Sequence, residues 1–169
     1  NFQTLVKIYA ESDSWGREDA RRGREKVKGY LEKGQKPKVA IDRVMEEIIQ
    51  DPDVRPAARY EALMGILHSK AVVSNPSVRA YFAKHLRRFI RENKNRPVVF
   101  WALQVLAALD DYHKYSPPGE ADRRLYSALL EDEDAVPVAR ACAVMYLSKV
   151  RELEDKLIRI SQNLLKDYR

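Results

Sequence analysis

Apolar residues are concentrated in one stretch near the middle of the chain. From Val98 to Leu109, every residue except Gln104 is apolar. A helix that is apolar on all sides has to be covered by other elements. This stretch is shorter than the roughly 20 residues that a membrane-spanning helix needs. The pattern therefore predicts a central helix buried in the core of the protein.

Amphipathic patterns on both sides of this stretch predict further helices, because apolar residues recur every three or four positions. Prolines, glycines and polar turns separate these patterns, and the segment from Ala71 to Asn75 is expected to be a connection. Gly23 and Gly29 weaken one of the helices by about 1 kcal/mol each relative to alanine. The predicted helices cover residues 2–10, 17–33, 37–50, 54–69, 76–93, 96–109, 120–131, 136–150 and 152–168.

Three of these helices begin with the same pattern, a proline followed by small or apolar residues. The prolines are Pro56, Pro97 and Pro137, which are 41 and 40 residues apart. A period near 40 with two helices in each unit is typical of a solenoid of helix pairs. The predicted units are residues 37–70, 75–112 and 119–150. An N-terminal, partly basic helical segment (1–36) precedes them, and a capping helix (151–169) follows.

Two stretches, Asp51 to Ala58 and Asp132 to Ala141, resemble the turn and second-helix start of HEAT repeats. The resemblance extends over roughly residues 37 to 150. It implies an all-α fold, a right-handed α/α superhelix of about eight to nine helices. It also implies that the second helix of each pair lines a concave surface that binds a partner.

The amino-acid composition and net charge limit the fold class and the kinds of partner that this chain fits. Hydrophobic residues make up 45% of the chain and charged residues 33%, and glycines number six, a balance that favours an all-helical protein. The net charge of +6 permits nucleic acid, anionic membranes or acidic proteins as partners. Cys142 is the single cysteine, which rules out an intramolecular disulfide and favours a cytoplasmic location, with a removed N-terminal leader as the alternative. The sequence contains no signal peptide and no transmembrane segment.

Two basic segments are candidates for phosphate binding. Arg17, Arg21, Arg24 and Lys28 share one face of a predicted helix, although a solvated helix with i,i+4 ion pairs explains them as well. Lys84, Arg87, Arg88 and Arg91 lie on one side of another helix. Cations near the C-terminus of a helix also complement its dipole, so these four have a structural explanation too.

The remaining chemistry-bearing residues favour structural roles. His68, His85 and His113 lack the spacing of zinc ligands, and the acidic turn Glu131 to Asp134 lacks the spacing of a calcium loop. That turn is better explained as helix capping. Cys142 and Trp101 are expected to be buried in the core. The sequence therefore predicts no metal, no cofactor and no enzyme activity.

The predicted function is a non-catalytic scaffold or protein-interaction module that binds through the second helices. The partner contacts that the repeat register suggests are Arg59, Tyr60, Phe100 and Arg140, provided that these side chains face outward. The alternative is binding of a nucleic-acid backbone through the two basic segments. Self-association is a further alternative, since open ends of a solenoid expose apolar surface.

Overall fold

A computed structural model describes residues 17–32, 36–110, 119–148, 150, 157–159 and 162. Every regular element in these ranges is helical, which confirms the all-α class. The described ranges hold eight α-helices and one π-helix, in agreement with the predicted eight to nine. The elements are α1 (Arg17–Glu32), α2 (Pro37–Val44), a π-helix (Met45–Ile49), α3 (Pro56–Leu67), α4 (Lys70–Val73), α5 (Pro76–Glu92), α6 (Val99–Asp110), α7 (Glu120–Glu131) and α8 (Pro137–Leu147).

Proline determines where four of these helices begin. Pro37, Pro56, Pro76 and Pro137 each occupy the first position of their helix. Proline is favoured there because the first backbone N–H of a helix has no intrahelical acceptor, and because its fixed φ already suits the helix. Local sequence thus explains these boundaries without reference to packing.

The structure differs from the predicted elements at several places. The segment expected to connect two helices contains the short helix α4, whose N-cap Ser69 accepts a hydrogen bond from the N–H of Val72 at 3.3 Å. The helix predicted to reach Gln50 changes to π-helical geometry after Val44. The central helix begins at Val99 rather than Arg96, because Arg96 donates its N–H to Asn93 in a preceding turn at 2.9 Å.

Of the predicted helices at the two chain ends, only part of the second falls within the described ranges. Residues 2–10 lie outside the described residues, as does most of 152–168. Within the latter, residues 157–159 and 162 are helical, and Leu157 is buried.

The chain divides into two compact units, residues 1–85 and 86–169, so that the division falls inside α5. In the first unit, α1 packs closely against α3, and the π-helix also contacts α3. Ile41, Ile48, Leu63 and Ile66 are among the fully buried side chains of this unit. Burial of such apolar side chains is the main source of its stability.

In the second unit, α8 packs against both α6 and α7. The central helix is buried as predicted, since Leu103, Val105 and Leu106 have no exposed surface. A backbone hydrogen bond of 2.9 Å from the N–H of Val136 to the carbonyl of Lys94 joins the turns that precede α6 and α8. These contacts place α8 beside the most apolar of the described helices.

Candidate functional site

The stretches Asp51 to Ala58 and Asp132 to Ala141 form the same local turn, one in each compact unit. The Asp51 side chain accepts a hydrogen bond from the N–H of Asp53 at 2.9 Å, and the Asp132 side chain accepts one from the N–H of Asp134 at 3.0 Å. Aspartate favours such turns because its short side chain reaches the backbone two residues ahead. In both stretches a proline then begins the following helix.

Two of the four predicted partner contacts are buried. Arg59 is only 5% exposed, and its guanidinium donates to the carbonyl oxygen of Asp51, so it holds the turn to α3. Phe100 is 1% exposed and packs edge-on against Trp101, with the ring centroids 4.8 Å apart. The condition that these side chains face outward is therefore not met at Arg59 and Phe100, because both are buried. Trp101 is in the core, as predicted.

The other two predicted contacts, Tyr60 and Arg140, are half-buried. Burial, followed by the charge of the neighbouring Glu61, raises the pKa of the Tyr60 hydroxyl. The pKa of Asp132 is lowered mainly by a hydrogen bond from Lys94, with the charge of Arg140 as a smaller contribution. Arg140 therefore lies near Asp132, while part of its side chain remains accessible.

Helix α8 carries a neutral accessible face that the sequence did not reveal. Arg140 is the one charged residue in its sequence PVARACAVMYL. Ala141 is exposed, and Val138 and Met145 are half-exposed. Spacings of three and four residues place these side chains on the same face. We define the α8 face as Val138, Ala141 and Met145. Because α8 is apolar apart from Arg140, periodicity could not indicate which side the rest of the protein leaves uncovered.

The basic residues of α1 are in part engaged in ion pairs. Arg21 pairs with Glu25 at 2.9 Å, and Arg24 approaches Glu61 at 3.5 Å. Lys28 is exposed. Arg17 begins the helix, but its side chain lies outside the described residues. Exposed pairs of this kind contribute about 0–1 kcal/mol, so most of this positive surface remains accessible to an anion.

The basic residues of α5 do not act as one group. Arg87 donates from Nη2 to Oδ2 of Asp122 at 3.3 Å, and its Nε donates to the other oxygen of the same carboxylate. Asp122 is only 1% exposed, so Arg87 is committed to a structural ion pair. Arg88 pairs with Glu92 at 2.8 Å, while Lys84 and Arg91 are exposed. Phosphate binding through Arg87 would therefore require this pair to break.

A cluster of polar side chains in the first unit joins α2 to α5. The Tyr81 hydroxyl donates to Asp42 at 2.8 Å, and Nε2 of His85 lies 3.0 Å from the same carboxylate. The hydrogen bond to Asp42 is the main cause of the raised pKa of Tyr81. Sequence spacing gave no indication of this cluster, because its members lie on different helices. It contains no serine or cysteine nucleophile, and its geometry is that of an interhelical contact.

Cys142 is buried, as predicted, and burial raises the pKa of its thiol to about 12. The described residues contain no group of three or more histidine, cysteine, aspartate or glutamate side chains placed to hold a metal ion. Among the helices in these ranges, none combines the length and apolar character that crossing a bilayer requires.

The described part of the chain thus belongs to the all-α class, with helices joined by short proline-bounded turns. Comparisons with protein-family models, with curated proteins and with solved structures find no match to this chain.

Proposed function

We propose that this protein is a non-catalytic interaction module of HEAT-like type, which binds an apolar segment of a partner protein through the α8 face. The accessible, uncharged surface of α8 carries the proposal. Soluble surfaces are normally rich in charge, and accessible apolar faces are typical of interaction sites.

The distribution of charge between the helices supports this proposal. Helix α7, which packs against α8, contains five charged residues in its sequence EADRRLYSALLE, among them the exposed Arg123 and Arg124, whereas α8 contains only Arg140. In a helix pair of this kind, the charged first helix faces water and the neutral second helix is suited to contact another protein.

The spacing of contacts supports the repeat that this function assumes. In the first compact unit (residues 1–85), the hydroxyl of Tyr81 donates a hydrogen bond to Asp42, 39 residues earlier in the chain. In the second unit, Lys94 bonds to Asp132 and Gln104 contacts Cys142, each over 38 residues. Contacts between corresponding helices or turns of stacked helix pairs recur at about the repeat length, which the prolines predict to be near 40.

The test compares two alanines that are matched in chemistry and exposure. Ala141→Glu places a charge on the α8 face. Ala128→Glu places the same charge at an exposed position of α7. A library of displayed random peptides is selected on the wild-type protein, and binding of the enriched peptides to both variants is then measured. We expect Ala141→Glu to weaken binding by about tenfold or more and Ala128→Glu to have little effect, since a buried unpaired charge is costly at an interface.

Three results would contradict the proposal. Selection would fail to enrich any peptide, or the two variants would bind the enriched peptides equally, or duplex DNA would bind more tightly than any peptide. The last result would favour nucleic-acid binding, and that affinity should fall steeply with added salt. Circular dichroism of both variants establishes that the helices are retained.

A further inference from the structure

A groove in the first unit lies between α1 and the corner that joins α3 to α4. Its volume is about 390 Å³. The described residues that line it come from α1 (Arg24, Val27, Lys28, Leu31), from α3 (Gly65) and from the start of α4 (Ser69, Lys70, Ala71). It shares no residue with the α8 face, so it does not depend on the function proposed above.

The floor of this groove is apolar. Val27 is 2% exposed and packs between the helices, while Leu31 and Ala71 are half-exposed above it. A Cβ at Gly65 would lie 3.1 Å from Cγ1 of Val27, which is tighter than ordinary van der Waals contact. Glycine at this position therefore keeps the floor open as well as permitting the helices to approach each other.

The rim of the groove is positively charged on both sides. Arg24 and Lys28 lie one turn apart on α1, and Lys70 projects from α4. All three are exposed. No carboxylate is among the described residues that line the groove. Glu61 does not line the groove, but its carboxylate lies 3.5 Å from the Arg24 guanidinium. Because the Arg24 side chain is 61% exposed, it can exchange Glu61 for a carboxylate of a bound peptide.

We propose that this groove binds an acidic peptide segment of a partner protein that inserts a bulky apolar side chain. The floor accommodates the apolar side chain, and the three cations of the rim pair with acidic residues on either side of it. A phosphate backbone uses cations but has no group to fill an apolar floor. Small-molecule sites usually enclose most of their ligand, whereas the three rim cations are exposed and can contact a peptide that extends beyond the groove.

The test uses three short synthetic peptides with one common frame. The first carries glutamates on both sides of a leucine pair, the second has lysines in place of the glutamates, and the third has alanines in place of the leucines. Each is labelled and titrated with the full chain, and fluorescence anisotropy is measured. We expect the first peptide to bind about tenfold or more tightly than the other two. Only this peptide carries both acidic residues for the cations of the rim and apolar side chains for the floor.

The test and control variants of the protein carry the same change in net charge. The test variant combines Lys28→Glu with Lys70→Glu, and the control combines Lys26→Glu with Lys36→Glu, at exposed positions that do not line this groove. We expect the first peptide to lose about tenfold or more in affinity for the test variant and to bind the control within about twofold of wild type.

Each of the other outcomes would overturn the proposal. Equal losses in both variants would indicate a general charge effect, and equal binding of the alanine peptide would show that the floor is not used. Binding of duplex DNA that depends on Lys28 and Lys70, without binding of the acidic peptide, would assign the site to phosphates. Circular dichroism checks that the test variant keeps its helices. Ala71→Leu, which fills the floor without adding a charge, is the second variant. It should also weaken binding of the first peptide, and unchanged binding would overturn the proposal.

Discussion

Gly23 of α1 lies directly against the backbone of Ala58 in α3. A Cβ built on Gly23 would be 2.4 Å from the carbonyl oxygen of Ala58, a distance that two such atoms do not adopt. The two helices therefore approach as closely as they do because position 23 has no side chain. This close approach, together with the contact between Gly65 and Val27, holds α1 on the rest of the first unit.

Alanine at position 23 is expected to destabilise the protein, although alanine has the higher helix propensity. The new methyl group has to displace the Ala58 backbone, and strain of this kind typically costs about 1–3 kcal/mol. Gly29 is the matched control, since a Cβ there meets nothing within 4 Å. Gly29→Ala should stabilise the protein by about 0.5–1 kcal/mol. Urea unfolding measures both variants, and equal stability changes would contradict the packing assigned to Gly23.

The buried ion pair of Arg87 and Asp122 gives a second prediction. Asp122→Ala leaves the half-buried guanidinium without its carboxylate and should cost about 3 kcal/mol of unfolding free energy. The double variant Arg87→Met with Asp122→Leu should be more stable than Asp122→Ala, because no charge is left uncompensated. Arg88→Ala removes a fully exposed pair with Glu92 and should change the free energy of unfolding far less than Asp122→Ala does, because water screens exposed pairs. A small effect of Asp122→Ala, comparable with that of Arg88→Ala, would show that the pair of Arg87 and Asp122 contributes little to the free energy of unfolding.

The thiol of Cys142 should react very slowly in the folded protein. With a pKa of about 12, roughly one thiol in ten thousand is ionised at about pH 8, whereas about a quarter is ionised at the ordinary pKa near 8.5. Only the thiolate is the reactive form, and burial also blocks access of the reagent. Ellman's reagent should therefore modify Cys142 promptly in denaturant and at a rate limited by unfolding without it. Prompt modification of the folded protein would contradict the burial of this side chain.

The pair of Lys94 and Asp132 should make stability depend on pH. The folded-state pKa of Asp132 is lowered by the hydrogen bond from Lys94, so its stabilising contribution is present above its unfolded pKa of about 3.9 and is lost as the pH falls through the folded value. Asp132→Asn should thus be less stable than wild type at neutral pH, and the difference should shrink on acidification. Glu133→Gln is the control, since Glu133 is an exposed residue of the same turn. Parallel pH curves for wild type and Asp132→Asn would contradict the prediction.

Much of the secondary structure follows from local sequence. Prolines such as Pro56 and Pro137 start helices because their missing N–H and fixed φ suit the first position, and the aspartates before them form turns with their own backbone. Both effects act within a few residues. The stretch from Val98 to Leu109 was likewise expected in the core, since its sequence leaves no polar side to face water. The short helix α4 was not predicted, because four residues are too few to show a period.

The candidate sites depend on contacts between residues that lie far apart in the sequence. Because such contacts leave no local pattern, the sequence predicts these sites only in part. The predicted repeat register aligns Arg59 with Arg140, but it could not indicate that Arg59 is 5% exposed while Arg140 remains partly accessible. Neither the neutral side of α8 nor the groove between α1 and α4 has a local pattern, because neighbouring helices determine which surface stays uncovered. Sequence alone therefore determined the all-helical class, most helix starts and the burial of the central helix, through short-range backbone chemistry and total hydrophobicity. Tertiary structure decided which cations are committed to carboxylates, which apolar faces meet water and why Gly23 is a glycine, since packing brings together residues that the chain keeps apart.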